Sequence, residues 1–381
     1  MAGPRTVVVG GGIAGAAVAW RLARAGAPVL LVERETAPGA HATGRNAAIL
    51  RTAIADAPTA TLARRGAAFL AAPPEGFAPV PLLRRTGVVL AAPPDAAERV
   101  LDCARGREDL RPLADDALRR LWPSLHGGIG AAVLAPEEGV LDGSALLSGF
   151  LAGARAAGAR IATATAALAL ETALGRVTGV RLRERSGAER VVPADAVVLA
   201  GGAWAAEPAA AVGLGLPLTP RRRHLFLLEP TPAPPPDAPV LWLLGDAETY
   251  VRPESGGLLL SPCDERAVAP DACEREAAEA WDLAAARLGR WFPALASAPV
   301  RSHWAGGRTF APDGRFVLGP DPRVEGLHWA AALGGHGMTC AAAVGELVAD
   351  QVLGRARPEA EPFAPARLVT DASATAGAAS A

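Results

Sequence analysis

The sequence predicts an α/β chain: a Rossmann-like dinucleotide-binding unit assembled from separate segments, with a mostly β unit inserted into it. Three observations carry that reading. "TVVVG" (residues 6–10) is a short β-branched run, suited to a strand buried on both faces, and it leads into Gly10, Gly12 and Gly15 in G-x-G-x-x-G spacing. An Ala/Leu-rich helical stretch then runs to Gly26, and "APVLLVE" (27–33) reads as a second strand ending on an acid. Two more strand-to-glycine segments follow far along the chain, "DAVVLAGGAWA" (195–205) and "GLHWAAALGGHGMTC" (326–340), so the unit draws on the N-terminal, middle and C-terminal thirds.

Each part of the opening segment has a physical task. Gly10 permits the tight turn, Gly12 lets backbone approach a pyrophosphate, and Gly15 lets helix pack closely on strand. The helix start at Ile13 and Ala14 offers free N–H groups and the positive dipole end to phosphates. Glu33, followed by Arg34, falls where a ribose 2′-hydroxyl is received, and its charge argues against a 2′-phosphate. Only one such fingerprint is present; "GLGLP" (213–217) has no β-branched strand before it and lacks the third glycine. The long polar connection "RETAPGAHATGRNAAIL" (34–50), with Thr43, Gly44, Arg45, Asn46 and Ala47, favours FAD over NAD. Such a loop can wrap an extended dinucleotide, whereas an NAD unit usually passes directly from the second strand into a helix.

Helical pattern resumes at about residue 56. "LLRRTGVVLAA" (82–92) reads as strands around a turn, 95–121 as helical, and "GGIGAAVLAPEEGVLD" (127–142) as a strand pair. Residues 143–158 form an amphipathic helix ended by Gly158, followed by the strands "RIATATAALAL", "RVTGVRLRE" and "ERVVPA". The span 217–262 is strand-rich and broken by the tract "PTPAPPPDAP"; a helix carrying Trp281 and Trp291 comes next. This order assigns residues 1–80, 142–215 and 308–357 to the dinucleotide-binding domain and 81–141 with 216–307 to a substrate domain. Residues 358–381, rich in Ala and Pro, read as a mobile tail.

Composition narrows the function classes. The 381 residues are 50% hydrophobic with a formal net charge of -1, which gives no basic field for nucleic acid or acidic membranes. There is no lysine, so arginine supplies every fixed positive side chain. Four cysteines at 103, 263, 273 and 340 form no CxxC pair, no disulfide framework and no metal-ligand spacing, as expected of free thiols in the cytoplasm. No run of about 18 apolar residues suggests a transmembrane segment.

Taken in order, the glycine fingerprint, the "TGRNAA" loop, the "VVLAGGAW" strand and the "LGGHGM" turn resemble the FAD-dependent D-amino acid oxidase superfamily. Among its members the chain is most similar to bacterial D-arginine dehydrogenase, through "HATGRNAA", "PLLRR", "PRRRHLF", "DAETYVRP" and "WAGGRTFAPDG". The resemblance implies a bound FAD and hydride removal from a carbon bearing an amine, giving an imine that water hydrolyses to a keto acid. Oxygen or a quinone would then take the electrons. The "SHWAGG" segment lacks the cysteine of covalently flavinylated relatives, so noncovalent FAD is expected.

The same resemblance places residues. Arg308 matches the carboxylate-binding arginine, beside Gly306; Arg223 matches a second site arginine, and alternation puts Arg221 on its face and Arg222 on the other. Tyr250, the only tyrosine, matches a substrate-contacting phenol. His336 reads as a catalytic base or as a loop-stabilising residue. Gly334, Gly335, Gly337, Met338 and Thr339 would bring N–H groups to the flavin, and Gly201, Gly202 and Trp204 would border the cofactor. Departures fall in the substrate pocket. Gly87 stands where an acid receives the guanidinium of D-arginine, Ile54 replaces a lid tyrosine, Ile49 a histidine and Arg51 a threonine. D-arginine would lose its buried counter-charge, at a cost of roughly 3–5 kcal/mol. Ile49, Ile54, Leu241 and Leu243 suggest an apolar pocket for a neutral or apolar D-amino acid, whereas an inward Arg51 would favour an acidic one. Other readings are a hydroxy-acid or polyol-phosphate dehydrogenase, a biosynthetic oxidase of a larger amine, and a non-enzymatic flavin- or NAD-binding protein.

Overall fold

The computed structural model describes residues 3, 5–230 and 233–369. The N-terminal strand Thr6–Val9 lies inside a six-stranded sheet, between Val29–Val32 and Ala196–Leu199. Arg160–Ala162 extends one side; Leu327–Ala331 and the antiparallel edge strand Val317–Pro320 extend the other. The parallel strands are short and almost wholly apolar because both faces are covered. On one face pack the helices Ile13–Arg24, Gly143–Ala156 and Gly337–Val352, with Ala57–Ala71 outside them. On the other lies an antiparallel sheet of Thr165–Ala173, Arg176–Glu184 and Glu189–Pro193, whose Leu170, Val180 and Leu182 meet Val7, Val197 and Leu199.

The second large sheet is mixed. Thr219–Leu228 pairs with Gly257–Ser261, and the path continues through Thr249–Glu254, Val240–Leu243, Val88–Ala92 and Ala131–Ala135 to Arg111–Pro112. The long strand Val300–Phe310 runs antiparallel to Thr219–Leu228. Its outer face is covered by the helices Asp115–Leu121 and Ala278–Trp291, through Leu118, Ala284, Leu288 and Trp291. Its inner face looks toward the first unit. A small sheet of Ile49–Leu50, Gly139–Leu141 and Leu83–Arg84 links the two.

Several local expectations are corrected. Ala131–Ala135 and Gly139–Leu141 are both strands but not partners; they belong to the mixed sheet and the small sheet. The run 160–170 is two strands, because the chain turns at Ala164 (φ 50°) and switches sheets. Helix does not persist over 95–121: Gly106 takes φ 68° and Arg111–Pro112 is extended, which separates Ala97–Ala104 from Asp115–Leu121. Residues 358–369 are not a mobile tail. They form two 3-10 turns held by buried Phe363, whose ring stacks 5.7 Å from that of Phe316, and by Arg367 on Asp313. The rest of the expected tail, 370–381, lies outside the described residues. No helix among the described residues is long and apolar enough to cross a membrane.

Two contacts fix the dinucleotide unit. Gly10 has φ 110°, and a Cβ there would lie 2.5 Å from the Ala200 carbonyl oxygen; a Cβ on Gly15 would lie 2.0 Å from that of Gly10. The Ile13–Arg24 and Gly337–Val352 helices also touch backbone to backbone, since a Cβ on Gly345 would come within 2.7–2.8 Å of Ala17. We expect Gly345→Val to lower stability by about 1–3 kcal/mol through overpacking. Thermal unfolding of variant and parent checks this, and an unchanged midpoint would show that the helices can separate freely.

Candidate active site

One continuous cavity of about 370 Å3 runs from the end of the Val29–Val32 strand, past the two helix starts, to the inner face of the mixed sheet. At its first end Glu33 is buried and locked: one carboxylate oxygen accepts from Gly11 N at 2.7 Å, the other from Glu35 N at 2.8 Å. Arg34 lies 3.8 Å over the Trp204 ring, whose indole N–H donates to Asp271. Gly201, Gly202 and Trp204 line this part.

Further in, Gly10, Gly12, Ile13 and Ala14 form the floor. The first N–H groups of a helix have no intrahelical acceptor; that of Ile13 is taken by Thr43 Oγ1 at 3.0 Å. The 43–48 loop is clamped from several sides. Asn46 Nδ2 donates to the Thr43 carbonyl while its Oδ1 accepts from Ala48 N, and the Ala47 carbonyl accepts from Arg252 Nε. Arg45 pairs with Glu274 at 3.0 Å. Thr43, Arg45, Asn46 and Ala47 line the cavity. Gly15 and Gly44 do not; both sit behind its wall, where a Cβ would strike the Gly10 and Gly39 carbonyls.

The far end brings together the expected C-terminal residues. Gly334 (φ 51°) and Gly335 (φ 92°) turn the chain after Ala332 so that the helix starting at Gly337 points its N-terminus into the cavity, with His336, Met338 and Thr339 also lining it. Thr339 Oγ1 donates to the Ile49 carbonyl, tying the helix to the small sheet. A Cβ on Gly335 would overlap the Arg308 guanidinium, 2.2 Å from Nη2, so glycine here makes room for that side chain.

Arg308 and Arg223 sit on adjacent antiparallel strands, Arg308 opposite Arg221 and Arg223 opposite Gly306. One oxygen of Glu265 bridges them, 2.6 Å from Arg223 Nη2 and 3.0 Å from Arg308 Nη1, and its other oxygen reaches Arg221 at 3.3 Å. Arg222 turns the other way, toward Glu279. Burial, then the neighbouring Arg223 charge, lowers the Arg308 pKa to about 10, so the guanidinium stays charged at neutral pH. Tyr250 is 4% exposed and burial raises its pKa, which keeps the phenol protonated. Burial, and then the charges of Arg51, Arg308 and Arg223, hold the His336 pKa down at about 3. A ring that resists protonation is a poor acceptor for a substrate proton.

The pocket lining differs most from expectation. Ile49, Arg51 and Gly306 line the cavity; Ile54, Gly87, Leu241 and Leu243 do not. Strand alternation decides the last two. Both are fully buried in the outer core with Leu118 and Leu288, and Trp242 between them takes the inner face, its ring 4.6 Å from that of Tyr250. Gly87 (φ 81°) faces Leu134 and Pro239, and Ile54 packs on the helical core. The expected apolar pocket is therefore not built. Sequence reasoning missed Trp242 and Glu265. Pairing of Trp242 with Tyr250 across a turn at Gly245–Asp246 could have revealed the first; nothing in the spacing marked Glu265.

The locked acid, the glycine floor and the two helix N-termini along one cavity fit an extended dinucleotide with its ribose at Glu33 and its ring system at 334–339. Comparison with known proteins agrees. The model of the FAD dependent oxidoreductase family (DAO) matches residues 5–351. The chain belongs to that family. It is 31% identical over 193 residues to glycine oxidase of Pseudomonas putida, covering 50% of this chain and 49% of that protein. It is 33% identical over 175 residues to FAD-dependent oxidoreductase domain-containing protein 1 of Bos taurus, covering 41% and 35%. These matches thus span half or less of the relatives' lengths. Among solved structures, glycine oxidase from Geobacillus kaustophilus superposes with a TM-score of 0.81 at 25% identity, over 96% of this chain and 99% of that one. Iminodiacetate oxidase from Chelativorans sp. gives 0.77 at 26%, over 95% and 99%.

The state of His336 has a measurable consequence. Its folded pKa of about 3 lies below the ordinary imidazole value of 6.5, so between these pH values the unfolded chain binds the extra proton. This residue contributes increasing destabilisation as pH falls through that window. Histidine NMR should show no protonation of His336 between about pH 5 and 8, and His336→Asn should lessen the loss of stability on acidification. A His336 resonance titrating near neutrality would contradict the assignment.

Proposed function

We propose that this protein oxidises the C–N bond of an amino acid or carboxylate-bearing secondary amine. A D-amino acid is the first substrate to test, and electrons would pass on to oxygen or a quinone. The observation that carries the reading is the arginine pair, Arg308 and Arg223, beside Tyr250 at the end of the cavity that the 334–339 loop closes. The names of the relatives agree with it, since glycine oxidase and iminodiacetate oxidase are named for carboxylate-bearing amines. The apolar side-chain preference expected from sequence is not carried forward, because Leu241 and Leu243 face away. The free cysteines suit a cytoplasmic setting.

FAD, held without a covalent bond by Glu33, the Gly10–Ala14 turn and the 334–339 loop, supplies a two-electron acceptor there. The chain's own residues do the rest. Arg308 receives the substrate carboxylate through its planar fork, Arg223 adds a second charge, and the Tyr250 hydroxyl donates to a carboxylate oxygen. Glu265 orients both guanidinium groups from behind. The positive charges of Arg51, Arg223 and Arg308 disfavour an ammonium ion beside them, so the substrate amine loses its proton to solvent and no dedicated base is required. Hydride loss from the carbon then leaves an imine, which water hydrolyses to a keto acid and ammonia, or to a keto acid and a primary amine from an N-alkyl substrate.

The test is product analysis after incubation with D-, L- and N-methyl amino acids. A keto acid formed in step with ammonia or amine is expected from one class. Arg308→Ala should weaken substrate binding by about 30-fold or more, the penalty of removing one partner of a buried charge pair. Turnover of hydroxy acids with no amine consumed would instead favour the hydroxy-acid reading.

A further inference from the structure

The arginines at the inner end of the cavity differ in how they are held. Arg223 and Arg308 share Glu265. Arg51, which lines the same end, makes no ion pair with any carboxylate among the described residues. Its Nε is buried without a hydrogen-bond partner, and its guanidinium carbon lies 4.3 Å from the centroid of the Trp242 ring, itself packed on Tyr250. Two carboxylates nearby do not pair with it. Glu138 accepts from the Thr52 backbone and hydroxyl through one oxygen, its other oxygen is buried without a hydrogen-bond partner and feels the Arg51 charge only at a distance, and Glu248 accepts from the Trp242 indole N–H. The backbone under Arg51 is fixed: Ile49–Leu50 pairs with Gly139–Leu141, and Arg51 N donates to Thr339 Oγ1.

An arginine resting on an aromatic ring keeps its in-plane N–H fork available for an oxyanion. Arg51 and Arg308 line the same cavity, and the charges of both act on His336 in its wall. Leaving such a cation inside without a partner is costly, and a second anionic group on the substrate removes that cost. We infer that Arg51 receives a second carboxylate, or an oxyanion of similar charge, and that the substrate is therefore an acidic amino acid or an N-carboxyalkyl amino acid.

This inference rests on the amine-oxidation reading, and the experiment separates the two. Anaerobic reduction of the bound flavin is measured with isosteric pairs, D-aspartate against D-asparagine and D-glutamate against D-glutamine, together with iminodiacetate against sarcosine. The holoprotein should bind the acidic member of at least one pair about 30-fold more tightly than its neutral counterpart. In Arg51→Gln that ratio should fall to near one, and in Arg51→Lys it should be partly kept. Flavin content of each variant reports whether it has folded. If the neutral partners bind as well as the acids in the parent protein, or if the ratio persists in Arg51→Gln, the inference is overturned while amine oxidation stands. If no amine of any kind reduces the flavin, the functional reading itself fails and the inference falls with it.

Discussion

Backbone contact between two helices sets where everything else in this molecule can be. Gly345 lets the Gly337–Val352 helix lie directly on Ala17 of the Ile13–Arg24 helix, over one face of the parallel sheet. Because both helices follow strands of that sheet, both N-termini open at the same edge, one beside Glu33 and one beside the mixed sheet. The cavity is the space between them. A side chain at Gly10, Gly15 or Gly345 would separate strand, turn and helix by more than the close-packed interior can absorb.

The second constraint is electrostatic. Arg51, Arg223 and Arg308 converge on one end of the cavity, and among the described residues only Glu265 forms an ion pair with any of them. The arrangement costs folding free energy, since it collects like charges where water is scarce. Burial, reinforced by this field, keeps His336 neutral, and the field favours a carboxylate and disfavours an ammonium ion. It is better suited to an anionic amine that gives up its proton than to a cationic side chain.

Much of this was legible in the sequence because it rests on local rules. The fingerprint, the acid on schedule and the C-terminal glycine turn each specify a backbone shape, and alternation correctly placed Arg223 with Arg221 and away from Arg222. What failed depends on pairing between distant segments. Leu241 and Leu243 read as part of an apolar pocket, yet the register Trp242 opposite Tyr250 turns both outward. Strands 131–135 and 139–141 looked like a hairpin and instead join different sheets, and the turn at Ala164 has no glycine to announce it. Glu265 gave no signal, since an acid in an edge loop acquires its role only when three arginines from two strands reach it.

On the proposed function, the arginine pair holds a carboxylate so that the neighbouring C–N bond can be oxidised by bound FAD. The most direct measurement is anaerobic flavin bleaching by an amino acid that reduces the protein, compared with the same amine lacking its carboxylate. Bleaching by the amino acid, and little or none by the decarboxylated amine at equal concentration, is the expected result. Equal bleaching by both would show that the carboxylate is not what positions the substrate.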